Sequence, residues 1–254
     1  MPNFNTATQA FSAIYENKVW GGGSGASGPD LTQPYMQMLA DFVRNNAVTS
    51  VVDVGCGDWQ FSRVMDWSGI RYHGFDVVES VVEANKQSFA RDTVTFQTMR
   101  SIDDLPIADL VVCKDVLQHL PNQDVSEYLD YFSLYYKYAI VTNDIFPDAY
   151  TNTDIPHGAG RALRLDQAPF NRRIAVLTRW TIAWQEHVWI KDACLLLGGS
   201  AGRDPRARRN RHNVRINRLK DRLDAWLAAR RRSRSWHAAA LPQSDENEAA
   251  YGCT

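Results

Sequence analysis

From residue 50 onward, short apolar runs alternate with longer stretches in which apolar residues recur every three or four positions. The first kind of run reads as a buried strand and the second as one face of a helix. Strands are expected at residues 50–54, 72–75, 94–96, 108–113 and 138–142, with helices between them at about 61–66, 81–88 and 125–135. A helix at about 34–45 precedes the first strand and brings Tyr35, Met38, Leu39, Phe42 and Val43 onto one face. This β-α repeat predicts a doubly wound, mostly parallel α/β sheet. Two later extended runs, 173–180 and 187–197, are separated by only six residues. That gap is too short for a helical crossover, so they read as an antiparallel pair at the sheet edge.

The flanks differ from this core. Ahead of it lie an aromatic-rich lead with Phe11, Tyr15 and Trp20 and a glycine-rich loop at 21–28. The loop lacks the Gly-Lys-Ser/Thr ending of a phosphate loop, and reads as a lid that closes with Trp20 over a ligand. Beyond the core, Ile216, Leu219, Leu223, Trp226 and Leu227 mark a basic amphipathic helix at about 213–232. The expected organisation is therefore a lead and lid at 1–32, one domain at 33–199 and a basic helical tail at 200–254 with a frayed end. The net charge of −1 conceals the asymmetry: residues 199–236 carry 13 of the 28 Lys and Arg but three acids, leaving +10 there and −11 elsewhere. The apolar stripe among the arginines favours docking on the acidic core or on a partner over contact with nucleic acid.

Composition narrows the class further. With 254 residues and 44% hydrophobic content, the chain can bury one large core. It has no apolar run near the roughly 20 residues that a membrane helix requires. Its first residues have neither the basic region nor the apolar stretch of a secretion signal, so a cytoplasmic protein is expected. Cys56, Cys113, Cys194 and Cys253 are scattered, with no C-x-x-C pair, so no metal site is expected.

In a doubly wound sheet, ligands bind beyond the carboxyl ends of the strands. The first strand ends in Asp53-Val-Gly55-Cys56-Gly57, where two glycines let backbone approach a ligand closely. The second ends in Gly74-Phe-Asp76, with an acid 19 residues after Gly57, a spacing that suits a carboxylate holding ribose hydroxyls. The fourth ends in Cys113-Lys114-Asp115 and the fifth in Thr142-Asn143-Asp144.

These four strand ends, in order, resemble the class I S-adenosylmethionine-dependent methyltransferases over about residues 51–197. The run 108–121, from Ala108-Asp-Leu to His119-Leu-Pro121, is similar to that family's fourth-strand motif, and the closing antiparallel pair to its reversed last strand. The resemblance implies a seven-stranded Rossmann-like sheet with S-adenosyl-L-methionine as cofactor. It implies that Asp53, Gly55, Cys56 and Gly57 face the methionine portion, that Asp76 binds the ribose hydroxyls, and that Val77 lies against the adenine. Ser101 stands where the family has an Asp that contacts the adenine amino group, so Ile102 is expected to hold the ring through its backbone. Lys114 is expected beside the carboxylate or sulfonium end, and Trp59, where many members have glycine, is expected to narrow the turn or stack over the ligand.

Methyl transfer is an in-line displacement, so the protein mainly positions the acceptor and, for a hydroxyl, removes a proton. The loop 152–170 follows the fifth strand and is dense in donors and acceptors. His157, Asp144 and Asp154 are the candidate proton acceptors and Arg161 the candidate substrate anchor, while His119, in an apolar stretch, reads as a structural histidine. The expected activity is O- or N-methylation of a small-molecule or saccharide-like acceptor. Two rivals stand beside it. An NAD-dependent oxidoreductase is weakened because Gln60 replaces the third glycine and Asp53 would crowd a pyrophosphate. A polyanion-binding protein would use the basic helix for phosphate contacts.

Overall fold

The apolar runs form the strands expected of them. The computed structural model describes residues 2–146 and 151–197. Within these, β1 (Ser50–Val54), β2 (Arg71–Asp76), β3 (Val94–Thr98), β4 (Leu110–Lys114) and β5 (Tyr138–Ile145) pair in parallel. The closing pair, β6 (Ile174–Trp184) and β7 (His187–Leu196), is antiparallel as expected from its short connection, and β7 runs antiparallel to β5. One seven-stranded sheet results, in the order β3-β2-β1-β4-β5-β7-β6. The order reverses beside β1, and that switch point opens a crevice at the carboxyl ends of β1 and β4.

Side chains alternate across the sheet as the period of a strand demands. Val52, Val54, Val111, Cys113 and Val141 join one buried cluster, while Val51, Leu110, Val112 and Ile140 join the other. Helix α1 (Phe4–Glu16) contributes Ala7 and Phe11 to the first cluster, and α4 (Asn122–Tyr135) contributes Val125, Leu129 and Phe132. Helix α2 (Pro29–Asn45) places Tyr35 and Leu39 in the second, and α3 (Glu79–Phe89) spans β2 and β3. Helix α2 starts earlier than its apolar face suggests because Pro29, with its preset φ, occupies the first turn.

The aromatic-rich lead is a regular helix, α1, in which the Asn3 side chain accepts from the Thr6 N–H at 3.2 Å. Two sequence expectations are corrected. The expected helix at 61–66 shrinks to a 3-10 turn at Ser62–Val64, because the Trp67 indole donates to the Ser62 carbonyl at 2.8 Å and draws the chain back toward β2. Trp59 stacks over no ligand site: it is 2% exposed and sits among Tyr72, Phe89 and Phe96, with ring centroids 5.1–5.6 Å away. Its φ of 58° turns it from the glycine turn into this aromatic nest. Among the described residues no helix is long and apolar enough to cross a membrane. The expected basic helix at 213–232 lies outside the described residues.

Candidate functional site

Where β1 ends, the chain makes a turn that only glycines accommodate. Gly55 and Gly57 have φ of 74° and 53°. A Cβ on Gly55 would overlap Val116, and one on Gly57 would overlap the Ser24 hydroxyl of the glycine-rich loop. That loop is therefore seated on the turn. Ser24 Oγ accepts from the Asp58 N–H at 3.0 Å and lies 2.8 Å from the Tyr15 hydroxyl, and the Ser24 N–H donates to Asp58 at 3.2 Å. At the loop's far end Lys114 Nζ donates to Ser27 Oγ at 3.2 Å.

A cavity of about 630 Å³ lies between the turn and the loop. Trp20, Asp53, Gly55, Cys56, Gly57, Asp76, Val77, Lys114, Asp144 and Arg161 all line it, so one crevice gathers ten of the sequence-derived residues. Two acids stand at its inner wall. Asp76 is 8% exposed, and its two carboxylate oxygens each accept one backbone N–H, from Gly57 and from Val78, both at 3.0 Å. Burial raises its pKa against those bonds. A carboxylate has about four acceptor sites, so capacity remains for the two hydroxyls of a ribose. Asp53, 2% exposed, accepts a hydrogen bond from the Tyr72 hydroxyl. Burial pushes its carboxyl up to about 7, against the pull of Tyr72 and Lys114.

The carboxyl ends of β4 and β5 and the middle of the antiparallel β7 supply a second, charged wall. The β5–β7 register sets Asp144 opposite Lys191, whose Nζ donates to Asp144 Oδ1 at 2.6 Å and lies 3.0 Å from Asp115. Lys114 pairs with Asp115 at 2.6 Å. Burial opposes the charges on Asp115 and Lys191, yet the two lysines hold the Asp115 carboxyl down at about 2, and Asp115 and Asp144 keep Lys191 above the usual lysine value. Burial pulls Lys114 below it. Two ammonium groups and two carboxylates thus form a compensated cluster, the form in which buried charges are tolerated. Asp115 and Lys191 were not singled out in the sequence. A lysine and an acid inside the otherwise apolar β7 run was the signal available.

Other sequence candidates are placed elsewhere. Ser101 and Ile102 do not line the cavity: Ser101 caps a 3-10 turn in a box with Asp104, and Ile102 is buried in the core. Val77 and Met99 form that wall instead. His157 and Asp154 also fall outside the lining. His157 Nε2 lies 2.7 Å from Asp124 of α4, and Asp154 accepts the Asn122 N–H at 2.7 Å. The Arg161 guanidinium donates to the Leu120 carbonyl and to Asn122, each at 2.9 Å, and so ties its loop to the start of α4. The mouth adds Phe146, Trp184, Gln185 and Trp189. These residues lie on or beside the closing strand pair, too far along the chain for a local motif to link them to Asp53.

The set fits S-adenosylmethionine. A buried carboxylate with acceptor capacity for a diol, an apolar wall at Val77 and Met99, a second carboxylate suited to an ammonium group and a glycine cradle all open on one cavity.

Several known proteins are similar to this chain. Among solved structures, one described under the conversion of a disulfide bond into a thioacetal group during echinomycin biosynthesis matches with a TM-score of 0.52 and 13% identity, covering 85% of this chain and 97% of that one. The magnesium protoporphyrin IX methyltransferase of Synechocystis PCC 6803 with bound S-adenosylhomocysteine gives 0.45 and 16%, covering 76% and 97%. The N-methyltransferase of Bradyrhizobium japonicum WM9 with the same molecule gives 0.49 and 12%, covering 67% and 89%. No curated protein matches the chain. A family model described as a methyltransferase domain matches residues 30–165, more than half the chain. The protein is a class I S-adenosylmethionine-dependent methyltransferase.

Proposed function

We propose that the protein methylates an oxygen or nitrogen of a small-molecule or saccharide-like acceptor that enters past the aromatic mouth of the cavity. The observation that carries this reading is a single cavity of about 630 Å³ running from Asp76 to Phe146, Trp184 and Trp189. Cavities of this size enclose small ligands. With the cofactor at the glycine turn, space remains at the mouth for an acceptor of modest size, and flat rings there suit the face of a sugar or a planar ring.

S-adenosylmethionine supplies a methyl carbon made electrophilic by the adjacent sulfonium. The chain's residues hold and enclose it. Asp76 takes the ribose hydroxyls, Val77 and Met99 flank the adenine, and Asp53 meets the ammonium group. The loop 21–28, tied down through Ser24 and Ser27, serves as the lid, with Trp20 packed on Phe11, Tyr15 and His119 at centroid distances of 5.1–6.1 Å. Excluding water there protects a reactive sulfonium and strengthens the electrostatics of the site.

Incubation with methyl-labelled S-adenosylmethionine and a panel of phenols, glycosides and amines should move label onto one of these acceptors. Label transferred only to RNA or protein would overturn the acceptor class.

The position of Asp53 gives a pH prediction. Its folded pKa of about 7 lies above the ordinary 3.8, so the folded state binds the extra proton between these values. Stability of the free protein should therefore fall as pH rises from about 4 to 7 at this residue. Only the ionised carboxylate attracts an ammonium group, so affinity for S-adenosylhomocysteine should climb through about pH 7 and then level. Calorimetric titration of wild type and Asp53→Asn checks this; an equally steep climb in the variant would contradict it.

A further inference from the structure

We propose that His119 Nε2 accepts the proton of the acceptor group during methyl transfer, with the Ala159 carbonyl fixing the ring's tautomer. This rests on the O- or N-methylation reading above and names the residue that completes it. His119 follows β4 on the 3-10 turn Leu117–His119 and lines the cavity beside Trp20. Its Nδ1 lies 2.9 Å from the Ala159 carbonyl oxygen. A carbonyl only accepts, so Nδ1 carries the hydrogen in the neutral ring and Nε2 keeps its lone pair. The carbonyl is held in place by the loop around it. The Gly158 N–H donates to the His119 carbonyl at 2.9 Å and the Arg161 N–H to the Gln118 carbonyl at 3.2 Å. Three backbone bonds, counting that of the Leu163 N–H to the Asp144 carbonyl at 2.8 Å, seat the loop on the strand ends.

The other titratable groups near the mouth are less suited. Asp144 already holds Lys191 on one oxygen and the Gln118 amide, at 2.8 Å, on the other. His157 is engaged with Asp124 outside the cavity, and Asp154 caps the start of α4. Asp53 stands at the inner wall, bonded to Tyr72. Among the described residues the hydrogen-bond contact at Nε2 of His119 is the Gln118 amide nitrogen at 3.5 Å, long enough to be displaced by an acceptor.

The surroundings fit a base that starts neutral. Burial lowers the His119 pKa, opposed by the Ala159 bond and by Asp115 and Asp144, while Lys191 adds to the lowering. In the step, the acceptor's oxygen or nitrogen forms a bond to the methyl carbon as the carbon–sulfur bond breaks. That bond's electron pair returns to sulfur, leaving a neutral thioether. The acceptor's proton passes to Nε2, and the imidazolium, supported by Asp115 and Asp144, later releases it to solvent.

Two arms test this on the full chain. Nitrogen NMR of the complex with S-adenosylhomocysteine, assigned with His119→Asn, should show a protonated Nδ1 and an unprotonated Nε2 at pH 7. A protonated Nε2 would overturn the proposal. With an acceptor from the panel, His119→Asn, which keeps an amide N–H for Ala159, should lower kcat by roughly 100- to 10,000-fold. It should also lose the acidic limb of the pH profile while binding S-adenosylhomocysteine within about twofold of wild type. His119→Gln serves as a second variant if the first folds poorly. Unchanged kcat in a variant that binds S-adenosylhomocysteine would overturn the assignment. A panel in which wild type modifies nothing would reject the acceptor class, while the NMR arm still decides the role of His119.

Discussion

Replacing Asp76 by alanine should weaken binding of S-adenosylhomocysteine by on the order of 100-fold or more. The carboxylate is the one buried acid at the end of β2, and it lines the cavity beside the glycine turn. A hydrogen bond to a charged group contributes about 1.5–3 kcal/mol, so losing two to a ribose diol accounts for that ratio. The variant also strips the Gly57 and Val78 N–H groups of their acceptor, which loosens the turn itself. Asp76→Asn separates the two effects. Its amide oxygen can still accept one backbone bond, so its thermal midpoint should exceed that of the alanine variant, while its affinity stays well below wild type. Calorimetry together with thermal melting checks both; wild-type affinity in the alanine variant would exclude Asp76 from the cofactor site.

Trp59→Ala should destabilise the fold by about 3–5 kcal/mol, the usual cost of emptying a buried aromatic site. Three aromatic rings surround the indole, and none can collapse into its space without leaving its own position on β2, α3 or β3. For a domain of this size that corresponds to a lowering of the melting midpoint by roughly 6–20 °C. Trp59→Phe should cost less, because the indole N–H has no acceptor among the described residues. Cofactor affinity of the folded variants should change little, since Trp59 does not line the cavity. Chemical denaturation of the three proteins reads the stability order, and a loss of affinity without a loss of stability would return Trp59 to the ligand site.

The strand ends carried most of what the sequence made legible. Asp53, Gly55, Gly57, Asp76 and Lys114 each sit within three residues of a strand terminus, so local spacing alone places them at one edge of a parallel sheet. The mouth was hidden for the opposite reason. Whether His119 or His157 faces the cavity depends on the bond to Ala159 in one case and to Asp124 in the other, contacts that span 40 and 33 residues. In the sequence the polar loop around His157 favoured it as the proton acceptor, and the apolar stretch around His119 favoured a structural role. Arg161 lines the cavity while two of its donors tie it to Leu120 and Asn122, and Ser101, a cofactor contact by resemblance, instead caps a turn with its hydroxyl. Trp59 was misread because a tryptophan beside a ligand turn has two places to go, and its positive φ, which the sequence does not announce, sends it into the core. Helix α1 was readable, since Phe4, Ala7, Phe11 and Ile14 follow the helical period, yet the lead was read only by its aromatic residues and assigned no element.

The most direct measurement is a crystal structure of the protein with S-adenosylhomocysteine. The ribose hydroxyls should lie within hydrogen-bond distance of Asp76, the amino group near Asp53, the adenine between Val77 and Met99, and the thioether sulfur turned toward His119. Density for the molecule at another place on the chain, or Asp76 left without a ribose contact in an occupied cavity, would contradict this placement.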